Sequence, residues 1–171
     1  MLNRQIFLIG MPGSGKSTLG RRAARETGEQ FLDMDEWIEE AAGMDIPAIF
    51  ETYGESGFRR METGALEYLT RLRPCIISLG GGAAMDPVNR RIMRGFGSVI
   101  LIDRPLDKIL SDLHTESRPL LREDPEAGLL RLEKERMPVY RQLADVTVRN
   151  DGTFQDTLNL LVRVLKERYQ A

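Results

Sequence analysis

The sequence predicts a single α/β domain in which helices cover both faces of a parallel β-sheet. Short runs of β-branched and other apolar residues alternate along the chain with segments of helical periodicity, which is the order of elements in βαβ units. Three of the runs are apolar almost throughout, as central parallel strands are when both of their faces are covered. A glycine-rich turn joins the first run to the first helix, and such turns are common in α/β proteins that bind phosphate.

Length and composition agree with one globular domain. The chain has 171 residues, of which 42% are hydrophobic and 29% are charged, and its formal net charge is −2. A nearly neutral chain of this composition is neither disordered nor suited to coating a nucleic acid. Its apolar runs are far shorter than the roughly 20 residues that span a bilayer. We therefore expect a soluble protein without membrane or nucleic-acid partners.

Cysteine and histidine each occur once, as Cys75 and His114. A single cysteine excludes an internal disulfide and a metal site built on thiolates, and its place beside an apolar run predicts that Cys75 packs in a strand. His114 lies in a charged stretch, which favours a solvated surface position. The sequence shows no basic-then-apolar leader, so a cytoplasmic location is expected.

The strands are predicted from short apolar runs that are bounded by turn residues. In chain order they are QIFLIG (5–10), QFLDMD (30–35), CIISLG (75–80), SVILID (98–103) and DVTVRN (145–150). The first, third and fourth are the most continuously apolar. They are therefore predicted to be the central strands of the sheet.

The first helices are predicted between these strands. Residues 16–27 and 35–42 have helical patterns, and each is followed by a glycine, the residue that most often ends a helix. Residues 46–72 predict a short helix, a turn at 54–57 with a glycine at each end, and then a longer helix.

The later helices carry clearer boundary residues. Asp86 is predicted to cap a helix that begins at Pro87 and ends at Gly95. The remaining helices are predicted at 105–114, 127–143 and 153–169. Pro138 should end or kink the middle one, because proline lacks the backbone N–H that an interior helical position donates.

The turn GMPGSGKS matches the phosphate-binding pattern G-x-x-x-x-G-K-[ST] in full, between a predicted strand and a predicted helix. Gly13 and Gly15 allow successive backbone N–H groups to face phosphate oxygens at the positive end of the helix. Lys16 supplies a charge for the β- and γ-phosphates, and the Ser17 hydroxyl is a Mg²⁺ ligand in this arrangement. A glycine-rich turn without nucleotide is the disfavoured alternative. The motif alone does not decide whether the bound nucleotide is hydrolysed or donates its phosphoryl group to another molecule.

Two carboxylates, Asp33 and Asp35, follow the second predicted strand. If strand geometry persists to Asp35, both side chains point to one face, at the carboxyl edge of the sheet where doubly wound proteins bind ligands. One acid would then hold Mg²⁺ through water, and the other would orient or deprotonate a hydroxyl. The alternative is that they are helix N-caps, and Asp35 is well placed for this before EWIEE.

Two further features point to an acceptor site. Arg59 and Glu62 stand three apart on a predicted helix, a spacing at which a carboxylate can hold a guanidinium for a substrate carboxylate. The third strand ends in three glycines, at 80–82, which allow close approach of the backbone to a ligand. Surface pairs and plain turns are the alternatives.

Arginines in the second half of the chain are the remaining candidates. The charged stretch TESRPLLRED contains Arg118 and Pro119 between two predicted helices. It is predicted to be a mobile lid that carries Arg118 to the phosphates and excludes water, with a solvated loop as the alternative. Arg136 and Arg141 lie in a later helix; one of them is expected to reach a substrate anion, although either fits a plain surface position.

Together these features resemble the shikimate kinase family over nearly the whole chain. The resemblance rests on motifs in the family's order and approximate spacing: GMPGSGKSTLGR, FLDMDEWIE, IFETYGESGFRRME, ISLGGGA, SRPLL and ERMPVYRQLAD. It implies a kinase of aromatic amino-acid biosynthesis that transfers the γ-phosphoryl group of ATP to the 3-hydroxyl of shikimate.

The resemblance also implies a fold and its parts. The fold would be the three-layer P-loop kinase fold, with a five-stranded parallel sheet in the order 2-3-1-4-5 and a lid. The chain would form one kinase domain over 1–171, with an acceptor-binding insertion at about 34–62 and the lid at about 113–125. We expect a monomer that uses Mg²⁺ and takes ATP as its co-substrate.

Site residues follow from the resemblance position by position. The ATP phosphates would be bound by Gly13, Ser14, Gly15, Lys16, Ser17, Thr18 and Arg118. Mg²⁺ would be bound by Ser17 and, through water, by Asp33. Shikimate would be bound by Asp35, Arg59, Gly81, Gly82 and Arg136. The catalytic residues would be Lys16, Asp35 and Arg118, with Asp35 as the base, and the pocket would be lined or braced by Phe50, Phe58 and Glu62.

Two departures and three rival functions remain at the level of sequence. Family members often carry an arginine shortly before the lid that stacks on adenine, but this chain has none between Lys108 and Arg118. The stretch RNDGTFQD matches the adenine loop only loosely. The rivals are a related kinase such as gluconate kinase, a catalytically silent P-loop protein and a nucleotide-driven switch. The site residues are all present, which disfavours the silent protein, and the insertions are assigned to an acceptor pocket, which disfavours the switch.

Overall fold

A computed structural model of the chain describes residues 1–112 and 124–170. The strands are β1 (Gln5–Ile9), β2 (Phe31–Asp33), β3 (Ile76–Ser78), β4 (Gly97–Asp103) and β5 (Val146–Arg149). The helices are α1 (Lys16–Thr27), α2 (Met34–Ala42), α3 (Ile46–Leu69), α4 (Pro87–Phe96), α5 (Leu106–Ser111), α6 (Pro125–Leu143) and α7 (Phe154–Tyr169), with one 3-10 turn at Ala83–Met85.

The five strands form one parallel sheet in the order β2-β3-β1-β4-β5, so the predicted order is confirmed. In the centre, Ile6 of β1 pairs with Ile76 on one side and with Ser98 on the other. Asp33 pairs with Ser78 at the ends of β2 and β3. The carboxyl ends of β1, β2 and β3 therefore meet at one edge of the sheet.

Two apolar layers enclose the sheet, as expected from the uninterrupted apolar character of its central strands. Ile6 and Leu8 of β1 pack with α1 and α7 on one face, whereas Phe7 and Ile9 pack with residues from α2, α3, α4 and α6 on the other. The alternation follows from the two-residue period of a strand. Cys75 is fully buried, in agreement with its predicted place in the core.

Several predicted boundaries are wrong by a few residues. Strand β2 ends at Asp33, so strand geometry does not extend to Asp35, which lies in the first turn of α2. Helix α4 does begin at Pro87, with Asp86 as its N-cap, but it continues through Gly95 and is capped at Gly97.

The two predicted breaks within helices also differ from the structure. In α3 the helical path is interrupted at Gly54 alone, with φ 68° and ψ 176°, and no turn extends to residue 57. Pro138 lies inside α6 without ending it. A proline at 138 cannot donate to the carbonyl of Lys134, four residues earlier. Both residues are exposed, so water can hydrogen-bond to the Lys134 carbonyl and reduce the free-energy cost of the proline.

No helix of residues 1–112 and 124–170 is both long enough and apolar enough to cross a membrane.

Candidate active site

A cavity of about 530 Å³ opens at the edge where β1, β2 and β3 end. Its walls come from the glycine-rich turn after β1, the first turn of α2, the middle of α3, the glycines after β3 and one turn of α6. Elements distant in sequence thus meet at the carboxyl ends of parallel strands, where open α/β sheets bind ligands.

The glycine-rich turn between β1 and α1 folds around its own lysine. Gly13 and Gly15 have φ values of 80° and 90°, in the left-handed region that side chains disfavour. The Lys16 Nζ donates to the carbonyl oxygens of Gly10 at 2.9 Å and Met11 at 3.1 Å. Gly15 is also the N-cap of α1, so the turn lies at the positive end of a helix dipole, a favourable place for an anion.

Two side chains from distant parts of the sequence support this turn. Arg104, directly after β4, donates its Nη1 to the Gly13 carbonyl at 3.1 Å. Asn150, directly after β5, donates its Nδ2 to the Ser14 carbonyl at 2.9 Å and accepts from the Thr157 hydroxyl at 3.0 Å. These donors hold the carbonyl oxygens of Gly13 and Ser14, and the Ser14 N–H donates to the Met11 carbonyl at 3.1 Å, so the path of the turn is fixed from both sides.

Three side-chain oxygens meet beside the turn. The Ser17 hydroxyl donates to Asp33 Oδ2 at 2.5 Å and lies 3.1 Å from the Ser78 hydroxyl. Carboxylate and hydroxyl oxygens are hard donors of the kind that Mg²⁺ binds, usually together with water and phosphate oxygens. No group of three or more His, Cys, Asp or Glu side chains suited to a metal occurs in the described part of the chain. These residues therefore fit an ion shared with a phosphate ligand.

Asp33 has the capping role that the sequence left as an alternative. Its Oδ1 accepts from the backbone N–H groups of Asp35 at 3.0 Å and Glu36 at 3.4 Å, so Asp33, and not Asp35, is the N-cap of α2. Its Oδ2 remains directed at Ser17. The cap fixes the carboxylate, and so its second oxygen, at the cavity wall.

Asp35 presents a carboxylate to the cavity. Its Oδ1 is buried and has no hydrogen-bond partner within residues 1–112 and 124–170. Burial raises the pKa of Asp35 to about 7, with Asp33 and Glu62 adding to the increase and Lys16 opposing it. A buried carboxylate that titrates near neutrality is suited to accept a proton from a substrate hydroxyl.

Arg59 is held on α3 by two carboxylates. Its Nη1 lies 2.5 Å from Glu62 Oε2, and its Nη2 lies 3.1 Å from Glu55 Oε1. Glu62 is fully buried, and its Oε1 has no hydrogen-bond partner in the part of the chain that the structure describes. Burial raises the pKa of Glu62, against the opposing effect of Arg59. The pair fixes the guanidinium at the cavity wall.

Each of the three glycines after β3 lies against a charged side chain. A Cβ on Gly80 would lie 2.6 Å from Asp35 Oδ1 and 2.8 Å from Glu62 Oε1. A Cβ on Gly81 would lie 2.8 Å from Arg136 Nη1, and one on Gly82 would collide with the guanidinium of Arg59. Charged groups on α2, α3 and α6 therefore approach the backbone here so closely that a side chain at any of the three positions would displace them.

The structure separates the two candidate arginines of α6. Arg136 is only 7% exposed and lines the cavity, whereas Arg141 is exposed on the surface. The cavity thus receives one guanidinium from α3, beside Gly82, and one from α6, beside Gly81.

Most of the predicted site residues line this one cavity. They are Gly13, Gly15, Lys16, Ser17, Thr18, Asp33, Asp35, Arg59, Gly81, Gly82 and Arg136, with Phe50, Phe58 and Glu62 beside them. Ser14 is fully buried and does not line the cavity, and its N–H donates to the Met11 carbonyl at 3.1 Å. Their roles stay predictions.

Arg118 and His114 lie outside the described residues, as does the predicted lid except for its last two residues. Those two belong instead to the start of α6: Asp124 is its N-cap, with Oδ1 accepting from the Ala127 N–H at 3.0 Å, and Pro125 is its first residue.

Four residues that the sequence did not single out contribute to the site: Ser78 lines the cavity, Arg104 and Asn150 donate to carbonyls of the phosphate turn, and Tyr140 donates a hydrogen bond to the Gly81 carbonyl. Three of them stand at or just after the carboxyl ends of β3, β4 and β5, so a search of every strand end would have found them. Tyr140 follows Arg136 by four residues on α6, a spacing that places both on one helix face.

Comparison with known proteins gives one consistent result. The chain matches the family model of shikimate kinase over residues 12–166. A shikimate kinase of Neisseria meningitidis serogroup C is 42% identical, over 95% of this chain and 96% of the relative. One of Vibrio parahaemolyticus is 39% identical, over 96% and 98%. Among solved structures, shikimate kinase from Acinetobacter baumannii in complex with shikimate has a TM-score of 0.89 and 38% identity, covering 96% of this chain and 94% of that one.

Proposed function

The chain belongs to the shikimate kinase family, and we propose that the cavity at the carboxyl ends of β1, β2 and β3 is the site where ATP phosphorylates the 3-hydroxyl of shikimate. The observation that carries this assignment is the meeting of a phosphate-binding turn, a buried carboxylate and two arginines in one cavity. The reaction belongs to the biosynthesis of chorismate and the aromatic amino acids.

The donor half of the site is the turn after β1. The backbone N–H groups of residues 13–18 would bind the ATP phosphates, and Lys16 would move from its carbonyl partners to the β- and γ-phosphates. Ser17, with Asp33 through water, would hold Mg²⁺, which when bound neutralises phosphate charge. Binding of the same phosphates by Arg118 stays a prediction from the family resemblance.

The acceptor half lies between α2, α3 and α6. Shikimate has one carboxylate and three hydroxyls. Arg59 and Arg136 would bind the carboxylate, since a guanidinium offers two parallel donors to it. Gly81 and Gly82 would contribute backbone donors, and Asp35 would orient the 3-hydroxyl and accept its proton as the new phosphate ester bond forms.

We further propose that residues 1–171 act as one kinase domain, with 34–62 as the acceptor-binding part, and that the enzyme is a cytoplasmic monomer. The family relationship supports these assignments.

The proposal is tested by a panel of acceptors in one coupled assay of ADP release. With Mg·ATP, we expect rapid turnover only when shikimate is present, because the two arginines and Asp35 match its carboxylate and hydroxyl. Gluconate, quinate and water alone should give rates lower by at least about a hundredfold, as a mismatched polar group leaves buried site groups unpaired. Equal turnover with gluconate, or none with any acceptor, would contradict the assignment.

Replacing Arg59 with lysine should weaken shikimate binding selectively. An ammonium cannot bond Glu62 and Glu55 and still present two parallel donors to a carboxylate. We expect the KM for shikimate to rise by roughly tenfold or more, with the KM for ATP changed by less than about twofold.

The matched control for this change is Arg60→Lys, at the next residue of α3, which is exposed. It should leave both KM values unchanged. A similar increase in KM for both substrates in Arg59→Lys would show that the change disturbs the whole site and would refute the carboxylate role.

A further inference from the structure

Tyr140 is a buried polar group of α6 that the roles above do not use. Its side chain is 1% exposed. Its hydroxyl donates a short hydrogen bond to the carbonyl oxygen of Gly81, and the guanidinium of Arg136, one helical turn away, is close enough to the phenol to act against the rise in its pKa. The phenol therefore lies close to two elements of the proposed shikimate site.

The chemistry of the phenol fits both contacts at once. A hydroxyl has one donor and two acceptor positions, so it can donate to Gly81 while it accepts from Arg136, which has only donors. Burial raises the pKa of Tyr140, although Arg136 opposes the increase. The hydroxyl therefore keeps its proton at neutral pH and can serve as the donor to Gly81.

The bond to Gly81 also orients a backbone donor. In a trans peptide the carbonyl and the following N–H point in opposite directions. With the Gly81 carbonyl turned to Tyr140, the N–H of Gly82 is turned away from it, and Gly82 lines the cavity. Gly81 itself lies close against Arg136, since a Cβ there would be 2.8 Å from Nη1.

We propose that Tyr140 is a positioning residue for the acceptor: its hydroxyl sets the Arg136 guanidinium and the Gly81–Gly82 peptide in the one arrangement that presents both to the shikimate carboxylate. This inference rests on the proposed roles of Arg136 and Gly82. It adds a residue that contacts no substrate atom and yet determines how tightly the acceptor binds.

The test is Tyr140→Phe, which removes one oxygen and keeps the ring in the core. We expect the Kd and the KM for shikimate to rise about tenfold, the loss typical of one hydrogen bond near a charged group. The Kd for Mg·ATP and the kcat at saturating shikimate should change by less than about twofold. Titration calorimetry with each ligand and steady-state kinetics give these values.

Tyr169→Phe is the matched control, because Tyr169 is a buried tyrosine of α7 in the layer on the other face of the sheet. It should leave shikimate affinity unchanged. If Tyr140→Phe weakens ATP and shikimate equally, or leaves shikimate affinity unchanged, the positioning role is refuted.

Arg136→Lys, measured in parallel, separates this inference from the proposed site. If Arg136→Lys loses shikimate affinity and Tyr140→Phe does not, the site stands and the role of Tyr140 fails. If neither variant loses affinity, the proposed carboxylate site itself is wrong, and the role of Tyr140 fails with it.

Discussion

Lys16→Ala should give a folded protein whose kcat is lower by about a thousandfold or more, the loss expected when a charge aimed at the developing negative charge is removed. The side chain is 9% exposed and already points along the phosphate turn, with its Nζ on the Gly10 and Met11 carbonyls. An ammonium in so dry a place interacts strongly with a phosphate. Alanine removes this charge and supplies no substitute.

The measurement is ADP release at saturating shikimate, with the affinity for Mg·ATP determined separately by titration. Lys166→Ala, on the exposed side of α7, is the control for loss of a positive charge and should retain full activity. The melting temperature of Lys16→Ala shows that the protein is folded. A kcat within about tenfold of the wild-type value would mean that Lys16 is not essential to transfer and would refute the role assigned to the turn.

The parts of the site that could be predicted from the sequence are those set by local chemistry. The turn before α1 needs positive φ at Gly13 and Gly15 and a lysine next to them, so its residues are adjacent in the chain and form a recognisable pattern. The same holds for Asp86 and Pro87 at the start of α4. In such cases the residues that determine the structure are neighbours in sequence.

Errors arose where the outcome depends on distant contacts. The sequence favours Asp35 as a cap because the predicted second strand extends to residue 35. In the structure β2 ends two residues earlier, so Asp33 is the N-cap of α2. The pattern of alternating residues fits either boundary, and pairing with β3 as far as Ser78 decides between them. The sheet therefore determines which carboxylate caps α2 and which stays free in the cavity.

Support of the phosphate turn by Asn150 illustrates the same limit. Asn150 and Ser14 are 136 residues apart, and no local pattern links an asparagine after β5 to a turn after β1. For the glycines at 80–82, the sequence predicts close approach of the backbone to a ligand, whereas the structure also brings charged side chains of the protein against them. Asp35 and Glu62 lie against Gly80, Arg136 lies against Gly81, and Arg59 lies against Gly82.

Asp35→Asn should bind Mg·ATP with near-normal affinity and lose roughly a hundredfold to ten-thousandfold in kcat, because an amide cannot accept the proton of the 3-hydroxyl. The substitution is nearly isosteric, so shikimate should still enter the site. Single-turnover kinetics and separate titrations of the two substrates measure these effects. Glu40→Gln is the control, because Glu40 is an exposed carboxylate on the same helix. An unchanged kcat in Asp35→Asn would show that Asp35 has no catalytic role.

The same variant should be more stable than the wild type, and the gain should depend on pH. The pKa of Asp35 is about 7 in the folded protein and about 3.9 in an unfolded chain. Between these values the unfolded state binds fewer protons at this residue, so the wild type loses stability as the pH rises from about 4 to 7. Asparagine removes this loss.

In metal-free buffer, Asp35→Asn should therefore exceed the wild type in free energy of unfolding by up to about 4 kcal/mol at pH 8 and by little at pH 4.5. A difference that stays constant with pH would show that the buried charge is not the cause of the gain in stability.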